Sequence, residues 1–581
     1  MSRDRSISAL RTLRPEADAS IFWFRDDLHQ PYPISPMGMT TVQKHHAWGY
    51  HVASEQTQLP PSKGAHVKVF GGRVYLGFAL IDDPEEVAHR AAAFGRLVEH
   101  CTDHWQEYYD GYISEVIANL ASLGAVDGDR LTLPHLLDYL RKSEEINRRH
   151  WEIHFILMYP ADTIYLEFEA FCKAHGVEED SFVNLLKGFH SMSSKTDEGL
   201  WALARLADDT GLRDRLIGTP AASLREVMGS DAAGRDWLAA FDAWLAQFGN
   251  RISAGHLDVM YSTWKEDPAP VLDTIISYFG RMDAGWHLHQ ARAEVMRQRD
   301  EVLATVEARL EPDALKVFHR LLPVAQQVYA FQEDHGFYID AGSTAVLHNT
   351  LMACGRRLAR LGLLEQAEDV FFLTYNDLVE VLGDLARNEK IGLYHHQALV
   401  PSLIAERKAD WESALDADAP LTVGNIPSTM SDPIALKVFG IVDEVLHPRG
   451  EKQVVERLEG FAGAAGVIEG PARVILSFEE FPTLQSGEIL VCPATSTAWT
   501  PLFLKIAGVV TDTGGMLTHA AIAAREYGIP AVVGTWNATN SIRDGDIIRV
   551  DGTAGVVEVL RRVPTAAGPG SSLSPVPAEG H

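Results

Sequence analysis

The chain has 581 residues, 46% apolar and 22% charged, the balance of an ordinary soluble globular protein with room for two or more cored domains. Its formal charge of −28 argues against nucleic acid or an anionic membrane as a partner, because both demand basic patches. Four scattered cysteines (Cys101, Cys172, Cys354 and Cys492) show neither metal-ligand spacing nor a disulfide framework, and no apolar signal core or membrane-length run is visible, so a cytoplasmic protein is expected.

In chain order, residues 1–20 are polar and expected to be flexible. From Ile21 to Leu80 the sequence is rich in aromatics and prolines, with strand patterns at 67–70 and 74–78. Helical periodicity then dominates, with long amphipathic helices predicted over 88–113, 134–158, 269–295 and 314–332. Helical character fades after Gly424, and residues 446–455, around Pro448-Arg-Gly-Glu-Lys452, suit a hinge. Short strands and helices alternate over 456–562, as in a compact α/β domain, and the Pro/Gly/Ser/Ala-rich segment 563–581 is expected to be disordered. The expected architecture is therefore multidomain: a mainly α-helical domain (21–445) with small N-terminal β elements, followed by an α/β domain.

The densest chemical signal is the run from Thr511 to Gly534. Apolar 507–510 predicts a buried strand, Thr513-Gly-Gly515 a tight turn, and 519–527 a short helix with Thr518 as N-cap and His519 at the first helical position. A helix start offers unpaired N–H groups and partial positive charge, which suits a phosphate and keeps imidazole neutral and nucleophilic. Gly514, Gly515 and Thr518 are thus candidate phosphate-binding residues. The alternative for an isolated histidine is a plain strand–turn–helix cap.

This run resembles the phosphohistidine signature of the phosphoenolpyruvate-utilising enzymes. The likeness extends over roughly 456–562 and includes Glu469-Gly-Pro-Ala-Arg473, Gly487-Glu-Ile-Leu-Val491, Trp499-Thr-Pro-Leu-Phe503 and Val550-Asp-Gly-Thr553. It implies a swivelling domain that carries a phosphoryl group on His519 between two distant sites. No phosphate-binding loop assignable to ATP and no following barrel is visible, so synthesis of phosphoenolpyruvate by this chain alone is not expected. The N-terminal body is similar to the acceptor regions of phenylphosphate synthases and, more distantly, rifampin phosphotransferases, through Trp23-Phe-Arg-Asp-Asp-Leu-His29, Phe248-Gly-Asn-Arg251, Trp264-Lys-Glu-Asp-Pro268 and Glu368-Asp-Val-Phe-Phe-Leu373.

The resemblance implies a histidine-bearing subunit that receives phosphate from ATP, with Mg2+ or Mn2+, on a separate ATP-grasp subunit, and passes it to a small phenolic compound. Two alternatives stand: an antibiotic phosphotransferase of the rifampin type, and a non-enzymatic phosphocarrier. No metal or tightly bound cofactor is expected on this chain.

Transfer to a phenol calls for a base and for cations on the phosphoryl oxygens. The base candidates are His335, in the polar interruption Glu333-Asp-His335 with Asp340 nearby, and His29. The cation candidates are Arg25, Arg251 and Arg473, the last also suiting a structural role. Trp23, Glu333, Asp334, Phe337 and Tyr338 are candidate acceptor contacts; the alternative for 333–340 is a solvated helix face. Rifampin phosphotransferases imply an Arg-Glu pair where this chain has Gln332-Glu333, which favours a different acceptor. His150 and His154, four apart, have a spacing that can hold a metal but lack the rest of a zincin pattern. The pairs His45-His46 and His287/His289 suit packing roles.

Overall fold

The computed structural model describes residues 18–563 apart from 253–256, 416, 418, 431, 448–453 and 477. Most of the expected flexible segments 1–20 and 563–581, and of the expected hinge 446–455, lies outside the described residues. Among the described residues no helix is long and apolar enough to cross a membrane.

The fold is mostly helical, with a small sheet at its N-terminal end and a larger mixed sheet at its C-terminal end. The small sheet is antiparallel and four-stranded, in the order Ser62–Phe70, Arg73–Leu80, Phe22–Arg25, Thr422–Gly424. Its last strand comes from beyond the helices, so the cap is closed by chain about 400 positions downstream of the strand it pairs with (a separation whose loop-closure cost grows only slowly with length).

Two helices form the spine of the body: Pro84–Gly124, kinked at His104, and Leu133–Ala174. Asp83 caps the first by accepting the Glu85 N–H, with Pro84 at the position where a missing N–H costs least. Pro312–His335 packs against both. The stretch predicted as one helix over 269–295 is two, Ala269–Asp283 and Leu288–Glu307. The break follows from Gly285, whose φ of +78° lies in the left-handed region that ends helices. The other surprise is a π-helical turn, Gly336–Ser343, between Pro312–His335 and Thr344–Arg360.

In the C-terminal unit eight strands form one sheet, in the order Arg457–Glu459, Val556–Arg561, Ile547–Asp551, Val467–Val474, Ile489–Cys492, Gly508–Thr511, Ala531–Val533, Phe461–Ala464. The four strands from Val467–Val474 to Ala531–Val533 run parallel. Gly508–Thr511, the helix His519–Tyr527 and Ala531–Val533 make a crossover unit, the helix ending on Gly528 at φ +65°. Ligands of such sheets bind beyond the C-terminal ends of the parallel strands, which is where the loop before His519 emerges.

The two units are packed together. One apolar cluster runs from Trp201, Trp237 and Tyr278 of the body to Trp499 and Phe503 beside the sheet. The loop before His519 adds backbone pairing: Gly515 N–H donates to the Val438 carbonyl and Leu517 N–H to that of Lys437, each at 3.2 Å.

Candidate active site

His519 opens its helix, as the sequence predicts. Thr518 has the extended backbone of an N-cap, but its hydroxyl donates to the Gly515 carbonyl at 2.8 Å and makes no side-chain cap bond. The glycines have separate reasons. Gly514 has φ +99°, while a Cβ at Gly515 would come within 2.2 Å of the Lys437 carbonyl oxygen. Gly515 is what lets the loop close on the body.

Both ring nitrogens of His519 meet threonine hydroxyls: Nδ1 is 2.9 Å from Thr495 Oγ1 and Nε2 is 3.0 Å from Thr500 Oγ1. A hydroxyl can donate or accept, so the pair suits either neutral tautomer. Thr495 arrives because its loop follows Ile489–Cys492, the parallel neighbour of Gly508–Thr511. Burial, and secondarily the Arg251 cation, push the His519 pKa down to about 3. The imidazole is therefore neutral at any ordinary pH, as a nucleophile requires.

Arg251 is fully buried, its guanidinium over the rings of Phe337 (4.6 Å) and Trp264 (5.2 Å), with Nη2 donating to Thr196 Oγ1 at 3.2 Å. Burial lowers its pKa to about 10, against the attraction of Asp197, Glu333 and Asp334. Those three carboxyls are themselves pushed up. Burial takes Asp197 and Glu333 to about 7 and Asp334 to about 6, Arg251 opposing each. Glu333 accepts from Ser193 Oγ at 2.7 Å and Asp334 from the Met192 N–H at 2.6 Å. Tyr527, at the far end of the histidine helix, donates to Asp197 Oδ2 and so ties the C-terminal unit to this cluster.

A second polar cluster lies on another face of the same helix. Positions 333 and 335 are about 200° apart around a helix, so neighbours in sequence point oppositely. Glu333 faces Ser193 and the Arg251 group. Gln332 and His335 face Leu133–Ala174, where Gln332 donates to Asp162 at 2.9 Å and the His335 ring packs 4.9 Å from that of His154. His335 Nδ1 is 3.0 Å from the Phe331 carbonyl, and burial lowers its pKa to about 4. Burial opposes ionisation of Asp340, but His154 and His335 hold its pKa at about 2. His29 Nδ1 sits 2.9 and 3.0 Å from the two oxygens of Asp26; burial would lower its pKa, yet Asp26 and Asp340 raise it.

Of the predicted site residues, Arg251, Glu333, Asp334, Phe337 and Tyr338 therefore gather with one another on the side bearing His519. Tyr338 belongs by its hydroxyl, 3.3 Å from Met192 Sδ. The solvated-face alternative for 333–340 fails, since Glu333 is 7% exposed. His335 and His29 gather elsewhere, in the second cluster. Three residues join neither. Trp23 lies in the cap core at 1% exposure with its indole N–H on the Asp18 carbonyl. Arg25 grips Asp27, and Arg473 pairs with Glu488 and Asp544 at the sheet, the structural role. The pair His150/His154 does not act together: His150 Nδ1 is 2.9 Å from Ser343 Oγ. Thr495, Thr500 and Asp197 were missed. The first two had a signal, a threonine-rich run between Pro493 and Pro501; Asp197, on the amphipathic helix Met192–Asp209, had none.

Residues 484–555 match the PEP-utilising enzyme mobile domain, and residues 155–333 the rifampicin phosphotransferase fourth domain. Through its C-terminal unit the chain is thus similar to the PEP-utilising enzymes. It is 31% identical to the chondramide synthase of Chondromyces crocatus over 94% of its own length and 14% of that protein. An uncharacterized phosphotransferase of Bacillus subtilis is 28% identical over 94% of this chain and 63% of its own. The rifampicin phosphotransferase of Streptomyces sviceus is 33% identical over 55% of this chain and 34% of its own. The chain thus spans less than two thirds of each of these relatives.

Proposed function

We propose that this chain is a phosphotransferase in which phospho-His519 delivers its phosphoryl group to a hydroxyl of an acceptor held at the Arg251 face of the helical body. The observation that carries this is the docked, neutral His519, held by two threonines and close enough to the buried Arg251 for that cation to lower its pKa. The acceptor we favour is an antibiotic-like natural product rather than a simple phenol. Its support is positional: the stretch similar to the rifampicin phosphotransferase domain, 155–333, contains Asp197, Arg251 and Glu333. A small phenolic acceptor is the second reading, resting on the N-terminal likeness alone. We also propose that ATP, with Mg2+ or Mn2+, charges His519 on a separate ATP-grasp partner, as the phosphohistidine resemblance implies.

In the transfer step the N–P bond of phospho-His519 breaks and a bond forms between phosphorus and the acceptor oxygen. The ring nitrogen that is not phosphorylated keeps a proton against its threonine, so the imidazole leaves neutral. The acceptor proton passes to Glu333, whose pKa of about 7 suits a base at neutral pH. His29 and His335 lie on the opposite face. Arg251 meets the charge on the phosphoryl oxygens from a site closed to water.

The test loads the protein without any nucleotide partner. Potassium phosphoramidate should place one acid-labile phosphate on the wild type and none on His519→Gln. Added rifampicin or another polyketide phenol should shorten the life of phospho-His519 and yield a phosphate monoester, with phenol less effective. Label on a different residue, or a lifetime that no compound in a panel of phenols and macrocycles shortens, would sink the proposal.

A further inference from the structure

The second cluster is not used by the phosphoryl chemistry above. The ligating atoms of His154, His335 and Asp340 all lie within 4.8 Å of one another. His154 Nε2 is 3.3 Å from Asp340 Oδ1, and His335 Nε2 is 3.7 Å from Asp340 Oδ2. Both gaps exceed a charge-assisted hydrogen bond, about 2.7–2.9 Å. They come close to the edge of a coordination shell, because two ligands about 2.0–2.1 Å from a tetrahedral ion stand about 3.3 Å apart.

A second observation concerns a polar atom left over. Asp340 Oδ1 is buried and lacks a hydrogen-bond partner, an arrangement that ordinary packing avoids. His335, by contrast, is oriented for ligation. Its Nδ1–H donates to the Phe331 carbonyl, which leaves the Nε2 lone pair toward the carboxylate. His29 interacts electrostatically with Asp340, with Asp26 behind its Nδ1 as a carboxylate commonly stands behind a metal-bound imidazole. The three ligands come from Leu133–Ala174, the end of Pro312–His335, and the π-helical turn Gly336–Ser343. Such turns recur at functional sites.

We propose that His154, His335 and Asp340 bind a divalent first-row transition ion of the zinc class, with His29 as the neighbouring donor. Two imidazoles and a carboxylate suit zinc and its neighbours rather than magnesium or calcium, which take oxygen ligands. This departs from the expectation of no metal on the chain. The ion would fasten the irregular turn to the long helix behind it, and the site stands whether or not His519 transfers phosphate. A rival cluster, Asp384 with His395 and His396, lies at the surface, where His396 already pairs with Asp384 at 3.0 Å.

The experiment titrates the full chain, stripped by chelator, with Co2+ alone and then displaces it with Zn2+. One Co2+ per chain should bind at micromolar concentration with visible d–d absorption, and X-ray absorption of the loaded protein should show imidazole ligation. His335→Ala and His154→Ala should each weaken binding by more than the roughly 10–100-fold that loss of an outer partner costs. His395→Ala should leave it unchanged. Where a variant melts early, the X-ray absorption of the wild type and the milder Asp340→Asn carry the test. Absence of stoichiometric Co2+ or Zn2+ binding, or binding lost in His395→Ala and kept in His335→Ala, would overturn the proposal.

Discussion

Two faces of one helix, Pro312–His335 with its π-helical extension, bury similar groups, yet the carboxyls beside Arg251 and the carboxyl of Asp340 reach opposite charge states. On the face toward His519, one arginine serves three carboxyls, and burial wins: Asp197, Glu333 and Asp334 are pushed up to about 7, 7 and 6. On the other face Asp340 is shared by several histidines, and attraction wins, holding it at about 2. Desolvation is common to both; the count of nearby cations decides the outcome. The first face therefore holds acids able to exchange protons near neutrality, as acid–base catalysis needs. The second holds fixed charge and imidazole lone pairs, as ligation needs.

The largest effect that separates the faces is covalent. His519→Ala should reduce phosphoryl labelling to background, a loss of about 10^4-fold or more for a nucleophile, while His335→Ala should leave labelling of His519 in place. Equal losses in both would erase the distinction. Arg251 comes next. Arg251→Met should slow transfer from phospho-His519 about 10^2- to 10^3-fold, as for removal of a preorganised charge partner, with Arg251→Lys between, since a point charge replaces the planar fork. Circular dichroism must show both variants folded, because the site is buried. Transfer at the wild-type rate in Arg251→Met would remove the cation from the mechanism.

Glu333→Gln should cost about 10^2-fold in transfer, the usual scale for a general base, and leave labelling of His519 untouched. The pH profile is the sharper reading. A base must be deprotonated to act, so wild-type transfer should rise with pH to a plateau above about 7, and the variant should lose that rise. A rise that survives in Glu333→Gln and disappears in His29→Gln would move the base to the second face.

The C-terminal unit was far more legible in sequence than the body. Its strand, glycine turn and helix start are contiguous, so 511–527 states the geometry of His519 directly. The body's site is assembled from residues up to some 140 positions apart, such as Ser193 with Glu333, and no periodicity announces such a meeting. Local pattern also hid which way residues pointed. Glu333, Asp334 and His335 read as one polar patch, although the helical turn sends them to different faces. The π-helical turn was equally silent, because Phe337-Tyr-Ile-Asp-Ala341 fits an ordinary helix. Trp23 and Arg25 show the converse error: a family-like motif put them at the site, and the closing strand Thr422–Gly424 buries that motif in the cap instead.

The smallest expected effect concerns how the C-terminal unit holds its docked position. Asp197 accepts from the Tyr527 hydroxyl across the interface, and its other oxygen is buried without a hydrogen-bond partner. Its folded pKa of about 7 lies above its ordinary 3.8. The folded state thus binds more protons between those values, and this group's contribution to stability falls as pH rises from about 4 to 7. His519 works the other way, since its lowered pKa favours the docked state as pH rises from about 3 to 6.5. The wild-type profile contains both along with every other shifted group, but Asp197→Asn removes only the first. The variant should therefore gain on the wild type by on the order of 1–3 kcal/mol between pH 4.5 and 7.5, a figure already discounted from the full shift. Paired thermal melts across that range measure the difference. A gap that stays constant with pH would mean Asp197 is ionised in the docked state, and the contrast between the two faces would then fail at its most exposed joint.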